Sequence, residues 1–330
     1  MSTLRAAVIG CGKAGSEYSE DVVAPGVYSH AHAYSMHSRT DLVAVCDVDL
    51  HKAEACAARW GTQAFSSVGA MLSERVPEIV SICTPDETHA EVALQLLEFP
   101  GVKGVLCEKP LALSFSDAQR VVEHAAAQGI PLAVNYSRRY DEGFQRLRQE
   151  VADQRLGRIQ AVDGIYGKGL LHNGSHWFDL LRFLFGEVAW VRASSTGLSF
   201  GADATLDVWA GLQAGFTAFL RGTDPEAFTV FEMDIMGRDH RVQMVDSGRD
   251  LRYYRASESP VVRGYRDLER EPSIVRKGLD KAMLGAVDNL VRHVETGEPL
   301  LCSGQDGLEA IRIVEAARFS AANDGRRINL

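Results

Sequence analysis

"AAVIGCGKAGS", residues 6–16, decides the fold. An apolar run ends in three glycines, Gly10, Gly12 and Gly15, with the spacing G-x-G-x-x-G. Glycine at these positions allows a tight turn, lets the backbone approach a pyrophosphate, and lets a helix pack close to the strand. The helix that follows offers free N–H groups to the phosphates. Glycine-rich turns also serve as plain connections, so the motif gains its weight from what surrounds it. Residues 4–9, 42–46, 79–83, 103–107 and 130–134 are short apolar runs, suited to strands buried on both faces of a parallel sheet. Helical patterns stand between most of them, at 51–59, 88–98 and 114–128, and the last opens on Ser114 and closes at Gly129. This alternation predicts an α/β domain, a doubly wound Rossmann-type parallel sheet, over residues 1–134.

Beyond Val134 the pattern changes. Helices are expected at 142–154 and at 175–185, the second ending at Gly186. From about 187 to 255 strand-like segments follow one another, separated by turns such as "GTDP" and "GRD". Helical patterns return at 280–296 and 304–323. Residues 135–330 are therefore expected to form a second, α+β domain on one open, mostly antiparallel sheet that binds substrate and carries oligomerisation.

Within the first domain, Gly10, Cys11, Gly12, Lys13, Ala14 and Gly15 form the predicted phosphate loop. Asp47 ends the second strand, where a carboxylate accepts the ribose hydroxyls of NAD and repels a 2′-phosphate. No Arg follows it directly, so NAD is preferred to NADP. Asp49 competes for the role of helix cap. Asp47 stands 32 residues after Gly15, against a usual spacing of about 20. The surplus falls in "SEYSEDVVAPGVYS", residues 16–29, read as a surface loop or as a lid.

Bulk properties narrow the partners. A net charge of −9 argues against nucleic acid, which needs an excess of Lys and Arg. No apolar run is long enough to span a membrane. The first residues lead straight into a strand pattern, and the six cysteines are scattered without a Cys-x-x-Cys pair. A cytoplasmic protein with reduced, buried thiols is expected.

Two further motifs carry a resemblance. "CEKPLALS" (107–114) and "CTPDETHAE" (83–91), with the glycine loop, resemble the Gfo/Idh/MocA oxidoreductases, the glucose–fructose oxidoreductase and inositol dehydrogenase group. The likeness runs along essentially the whole chain. It implies that Thr84, Pro85 and His89 line the cofactor and that Glu108 lies near its ribose. It further implies that Lys109 is the catalytic lysine, that Pro110 shapes the turn, commonly through a cis bond, and that His176 is the active-site histidine. Much of the family reads Asp-x-Gly-x-His-x-x-Asp at the last motif. Here it reads His172-Asn173-Gly174-Ser175-His176-Trp177-Phe178-Asp179, so His172 replaces the first aspartate and an inositol substrate is not implied.

The expected activity is hydride transfer between nicotinamide and a secondary alcohol or ketone of a sugar, sugar derivative or cyclitol. An ammonium stabilises the developing negative charge and an imidazole takes the proton, roles given to Lys109 and His176. His172, Asn173 and Arg138 are candidates for substrate contact or proton relay, with Arg138 and Arg139 open between ligand and ordinary ion pair. Asp179, Tyr140 and Asp141 are read as structural. His172 and His176 match helical metal-ligand spacing, but Asn173 stands where a metalloprotease has Glu, and no metal is expected. His30, His32 and His37 have no acidic companion close in sequence. The rival functions are a glycosidase of the same fold that retains NAD, a non-catalytic cofactor or sugar-binding regulator, and a metal-dependent hydrolase. A homodimer or homotetramer is expected from the family's habit, through strands at 205–220 and 228–236.

Overall fold

The computed structural model describes residues 3–224, 226–276 and 279–330. Pro225 of the "GTDP" turn lies outside the described residues. The chain divides into two compact units, one running to Tyr140 and including Asp280–Ile311, the other Asp141–Leu279 with Arg312–Leu330. The two-domain expectation of 1–134 and 135–330 differs in giving 135–140 and 280–311 to the second domain.

The first unit contains strands β1 (Leu4–Ile9), β2 (Thr40–Cys46), β3 (Gln63–Phe65), β4 (Ile79–Ile82), β5 (Gly104–Cys107) and β6 (Leu132–Val134). All pair in parallel, in the order β3-β2-β1-β4-β5-β6. The order reverses between β1 and β4, where open α/β sheets bind ligands beyond the strand carboxyl ends. β4, β5 and β6 are buried at every residue, as the apolar runs require. The helices are α1 (Tyr18–Asp21), α2 (His30–Met36), α3 (Leu50–Trp60), α4 (Val68–Arg75), α5 (His89–Leu97) and α6 (Phe115–Gln128).

Their ends follow from local chemistry. Asp49 accepts the His51 N–H at 3.0 Å at the start of α3, and Ser114 accepts the Asp117 N–H at 3.1 Å at the start of α6. Gly61 and Gly129 end these helices in the left-handed region. The surplus segment after Gly15 is tied down. Ser16 Oγ accepts from Trp60 Nε1 at 2.9 Å, Glu20 pairs with Arg59, and the Val27 N–H donates to the Asp280 carbonyl at 2.8 Å.

In the second unit come α7 (Glu142–Ala152), β7 (Ile159–Tyr166), α8 (Ser175–Phe185), β8 (Val188–Phe200), β9 (Asp203–Leu212) and β10 (Thr217–Gly222). Then follow β11 (Phe231–Gly237), β12 (His240–Val245), β13 (Asp250–Glu258), β14 (Arg266–Leu268) and β15 (Ser273–Arg276). α9 (Ala282–Thr296) belongs to the first unit, where Gly104 of β5 leaves room for its Leu290 and Val294. Helix α10 (Gly304–Ala321) contains the division between the units, and β16 (Ile328–Asn329) completes the second.

The second sheet has the order β14-β13-β12-β11-β7-β10-β9-β8-β16, with β15 paired to β13. Every pairing is antiparallel except β7 with β10. Residues of β7 alternate between buried and open, so one face is covered. α8 packs there: Trp177 is wholly buried, and a Cβ on Gly164 of β7 would stand 1.9 Å from its Nε1. Phe178, Leu180, Leu181, Phe183 and Leu184 are also buried. At roughly 1.5–3 kcal/mol for each large apolar side chain, burial outweighs the middling helix propensity of Trp and Phe. Among the described residues no helix is long and apolar enough to cross a membrane.

Candidate active site

In the first unit the carboxyl edge of the parallel sheet gathers most of the expected cofactor residues. Gly10 has φ +93°, and a Cβ there would meet the Cys83 carbonyl oxygen at 2.4 Å. A Cβ on Gly15 would stand 1.9 Å from the Gly10 oxygen, so glycine is required at both places. Gly12 has nothing within 4 Å of the same position and leaves its side of the loop open. Cys11 is buried, Ala14 half-buried and Lys13 exposed.

Asp47 is not a helix cap, since Asp49 fills that role. Its Oδ2 accepts the Cys11 N–H at 2.8 Å and its Oδ1 accepts the Asp49 N–H at 3.0 Å, which joins the end of β2 to the glycine loop. His89, at the start of α5, lies between the loops after β4 and β5. Its Nε2 is 2.8 Å from the Thr84 carbonyl oxygen and its Nδ1 is 2.6 Å from that of Pro110. The Lys109–Pro110 bond is cis. The loops that carry Thr84, Pro85 and Lys109 are thus joined through the His89 ring, and the Cys83 N–H donates to the Ile9 carbonyl beside Gly10 at 2.7 Å.

Glu108 is the centre of a polar network that sequence reading missed. Its Oε1 lies 2.9 Å from His30 Nε2 and accepts from Asn135 Nδ2 at 2.6 Å, while Oε2 takes the Lys109 N–H at 3.3 Å. His30 Nδ1 is 2.8 Å from Ser81 Oγ, which is 2.8 Å from the Tyr34 hydroxyl. His30, Ser81 and Tyr34 are wholly buried. The acidic companion of the "SHAHAYSMH" histidines therefore does exist, but 78 residues along the chain. His37 likewise meets Asp288 at 3.2 Å. The placement of Asn135 at a strand's carboxyl end was a readable signal; the partner of His30 was not.

Burial pushes the Glu108 carboxyl up, but the His30 hydrogen bond and charge, the Asn135 amide and the Lys109 charge outweigh it and hold it at about 2. A carboxyl depressed in the fold stabilises above its ordinary value of 4.5. That contribution fades as pH falls through 4.5 toward 2. Between pH 6 and pH 2 the unfolding free energy of the native protein should therefore drop about 3 kcal/mol more than that of Glu108→Gln. Urea titrations of both at the two pH values measure this, and equal drops would remove Glu108 from the account.

Arg138 and Arg139 are both buried. Arg139 donates to the Leu301 carbonyl at 2.9 Å and pairs with Asp306 at 3.1 Å, a structural ion pair. Asp141 caps α7 through the Gly143 and Phe144 N–H groups and also takes that of Leu279.

In the second unit His172 and Asn173 sit on the turn Leu170–Gly174 and His176 in the first turn of α8. Asn173 Nδ2 donates to the Gly167 carbonyl at 2.9 Å. The His172 ring lies 5.5 Å from that of Phe200, and the His176 ring 6.0 Å from that of Phe231, edge to face. Asp179 is buried. Among the described residues no cluster of three or more His, Cys, Asp or Glu side chains is arranged to hold a metal.

A parallel sheet in this order, with a glycine loop after β1 and a carboxylate after β2, defines a dinucleotide-binding class of domain. The family model described as an oxidoreductase family with an NAD-binding Rossmann fold matches residues 4–136. D-glucoside 3-dehydrogenase of Escherichia coli is 30% identical over 205 residues, 56% of this chain and 55% of its own length. The chain thus spans about half the length of the curated relative. Myo-inositol 2-dehydrogenase of Thermotoga maritima is 24% identical over 96% of each chain. Among solved structures, an inositol dehydrogenase homolog of Azotobacter vinelandii, complexed with NADH and myo-inositol, shares the fold with a TM-score of 0.80. That match has 18% identity and covers 100% of this chain and 98% of the other.

Proposed function

We propose that the protein is an NAD-dependent oxidoreductase acting on a secondary alcohol or ketone of a sugar, sugar derivative or cyclitol. The observation that carries this reading is the carboxyl edge of the first sheet, where the glycine loop, Asp47 and Lys109 stand on loops fixed to each other. The donor set fits a dinucleotide. Gly12 leaves a cradle that a side chain would fill, and each Asp47 oxygen, holding one backbone N–H, keeps a lone pair for a ribose hydroxyl. The buried Asn135 Oδ1 is an acceptor with no protein partner. NAD, when bound, supplies the hydride acceptor.

The chain's own residues supply the rest. Lys109 brings positive charge to the oxygen that becomes negative as the carbon is oxidised. His176 accepts the hydroxyl proton and returns it in the reductive direction. His172, Asn173 and Arg138 are assigned to substrate hydroxyls. The names of the relatives support polyols as the substrate class. A dimer or tetramer is part of the same reading, because Trp209 and Ile165 on the second sheet are partly exposed.

The test is NADH formation with NAD and a panel of myo-inositol, methyl D-glucoside, D-glucose and a UDP-amino sugar. Reduction with at least one of them and little with NADP is expected. A sugar released from the glucoside without net NADH would replace the dehydrogenase by the redox-neutral glycosidase.

A further inference from the structure

The turn that carries His172 is held from the far end of a hairpin. Its N–H groups at Asn173 and Gly174 return to the Gly169 carbonyl at 3.2 and 3.1 Å. Those of Leu171 and His172, at the start of the turn, have no carbonyl within the helix to receive them. Both donate to one oxygen, Asp203 Oδ2, at 2.8 and 2.9 Å, across 32 and 31 residues of chain. The second oxygen of Asp203 accepts from Arg318 Nη2 at 2.7 Å. Gly169 has φ +78°, and a Cβ there would lie 2.2 Å from Asp203 Oδ2. The same hairpin end brings Phe200 against the His172 ring.

We propose that Asp203, oriented by Arg318, is a positioning residue that fixes the 169–174 turn and thereby the placement of His172 and His176. A carboxylate on free N–H groups at a helical start is favoured by charge as well as by hydrogen bonding. Its Oδ2 is filled by the two turn N–H groups and its Oδ1 is held by Arg318, so its effect is exerted through the turn. The functional part of this inference rests on the substrate-facing reading of the two histidines.

Three variants test it, Asp203→Ala, Asp203→Asn and Arg318→Gln, with His176→Gln as control. Activity is read with NAD and whichever panel compound the native protein turns over fastest, and amide hydrogen exchange is read at Leu171 and His172. Asp203→Ala is expected to lower kcat about 100-fold, the scale of a misplaced reacting group, with KM changed less than about threefold. Protection at Leu171 and His172 should be lost while other protected amides keep theirs. Asp203→Asn, which keeps an acceptor oxygen, should recover to within about tenfold of native, and Arg318→Gln should fall between the two. Unchanged kcat in Asp203→Ala, or unchanged protection at the two amides, overturns the proposal, as does a uniform loss of protection with no recovery by Asn. Should His176→Gln be fully active, the site reading is what has failed. The two amides then decide the clamp alone: lost protection supports it, and retained protection overturns it.

Discussion

Lys109→Met is expected to lower kcat by about 100- to 1,000-fold, the range for removing one donor aimed at a developing oxyanion. Methionine keeps the length and the apolar stem and removes only the ammonium. The backbone around it should not follow the side chain. The Lys109 N–H rests on Glu108, and the Pro110 carbonyl oxygen is 2.6 Å from His89 Nδ1; both contacts survive the substitution. NAD affinity, measured by calorimetric titration, should therefore stay within a few-fold of native, because Asp47 and the glycine loop are untouched. A kcat loss under tenfold would remove Lys109 from the chemistry. A matching loss of NAD affinity would instead make it a cofactor contact.

His176→Gln should cost about 100- to 10,000-fold in kcat, the span found for a positioned proton-transfer group. Glutamine keeps a hydrogen-bonding end group but cannot carry the proton through the cycle. Ser175 and Trp177 on either side are wholly buried, so the helix start should hold in the variant. KM should move less than kcat, since the proton is in flight only in the transition state. Stopped-flow and steady-state measurements across pH 6 to 10 give both quantities. Near-native turnover would transfer the role to another group, with His172 the first candidate.

Local signals explain what the sequence could reveal. α6 lies between Ser114 and Gly129, and α8 ends at Gly186 because caps and glycines act within a few residues of themselves. β7 escaped notice although it is central in its sheet. "IQAVDGIY" includes Asp163 and Gly164, poor strand formers, and Gly164 is there because Trp177 needs the space. α2 is seven residues long and gave no period to read. The gathering of the candidate cofactor residues at one edge of the first sheet was legible because they follow strand ends in a fixed order. The network around Glu108 and the clamp at Asp203 were not, since each joins residues 27 to 115 apart through side chains of unremarkable type. The return of α9 to the first unit depends on Gly104 matching Leu290 and Val294, a fit that no single stretch displays.

The central claim is that hydride leaves a secondary carbon of a polyol for nicotinamide. The most direct test uses myo-inositol and methyl D-glucoside carrying deuterium on their ring carbons, with NAD and the native protein, followed by mass analysis of the reduced cofactor. One deuterium per reduced cofactor, with turnover slower than for the unlabelled compound, is the predicted result. Deuterium washed into solvent, or kept in a product formed without reduced cofactor, would contradict it.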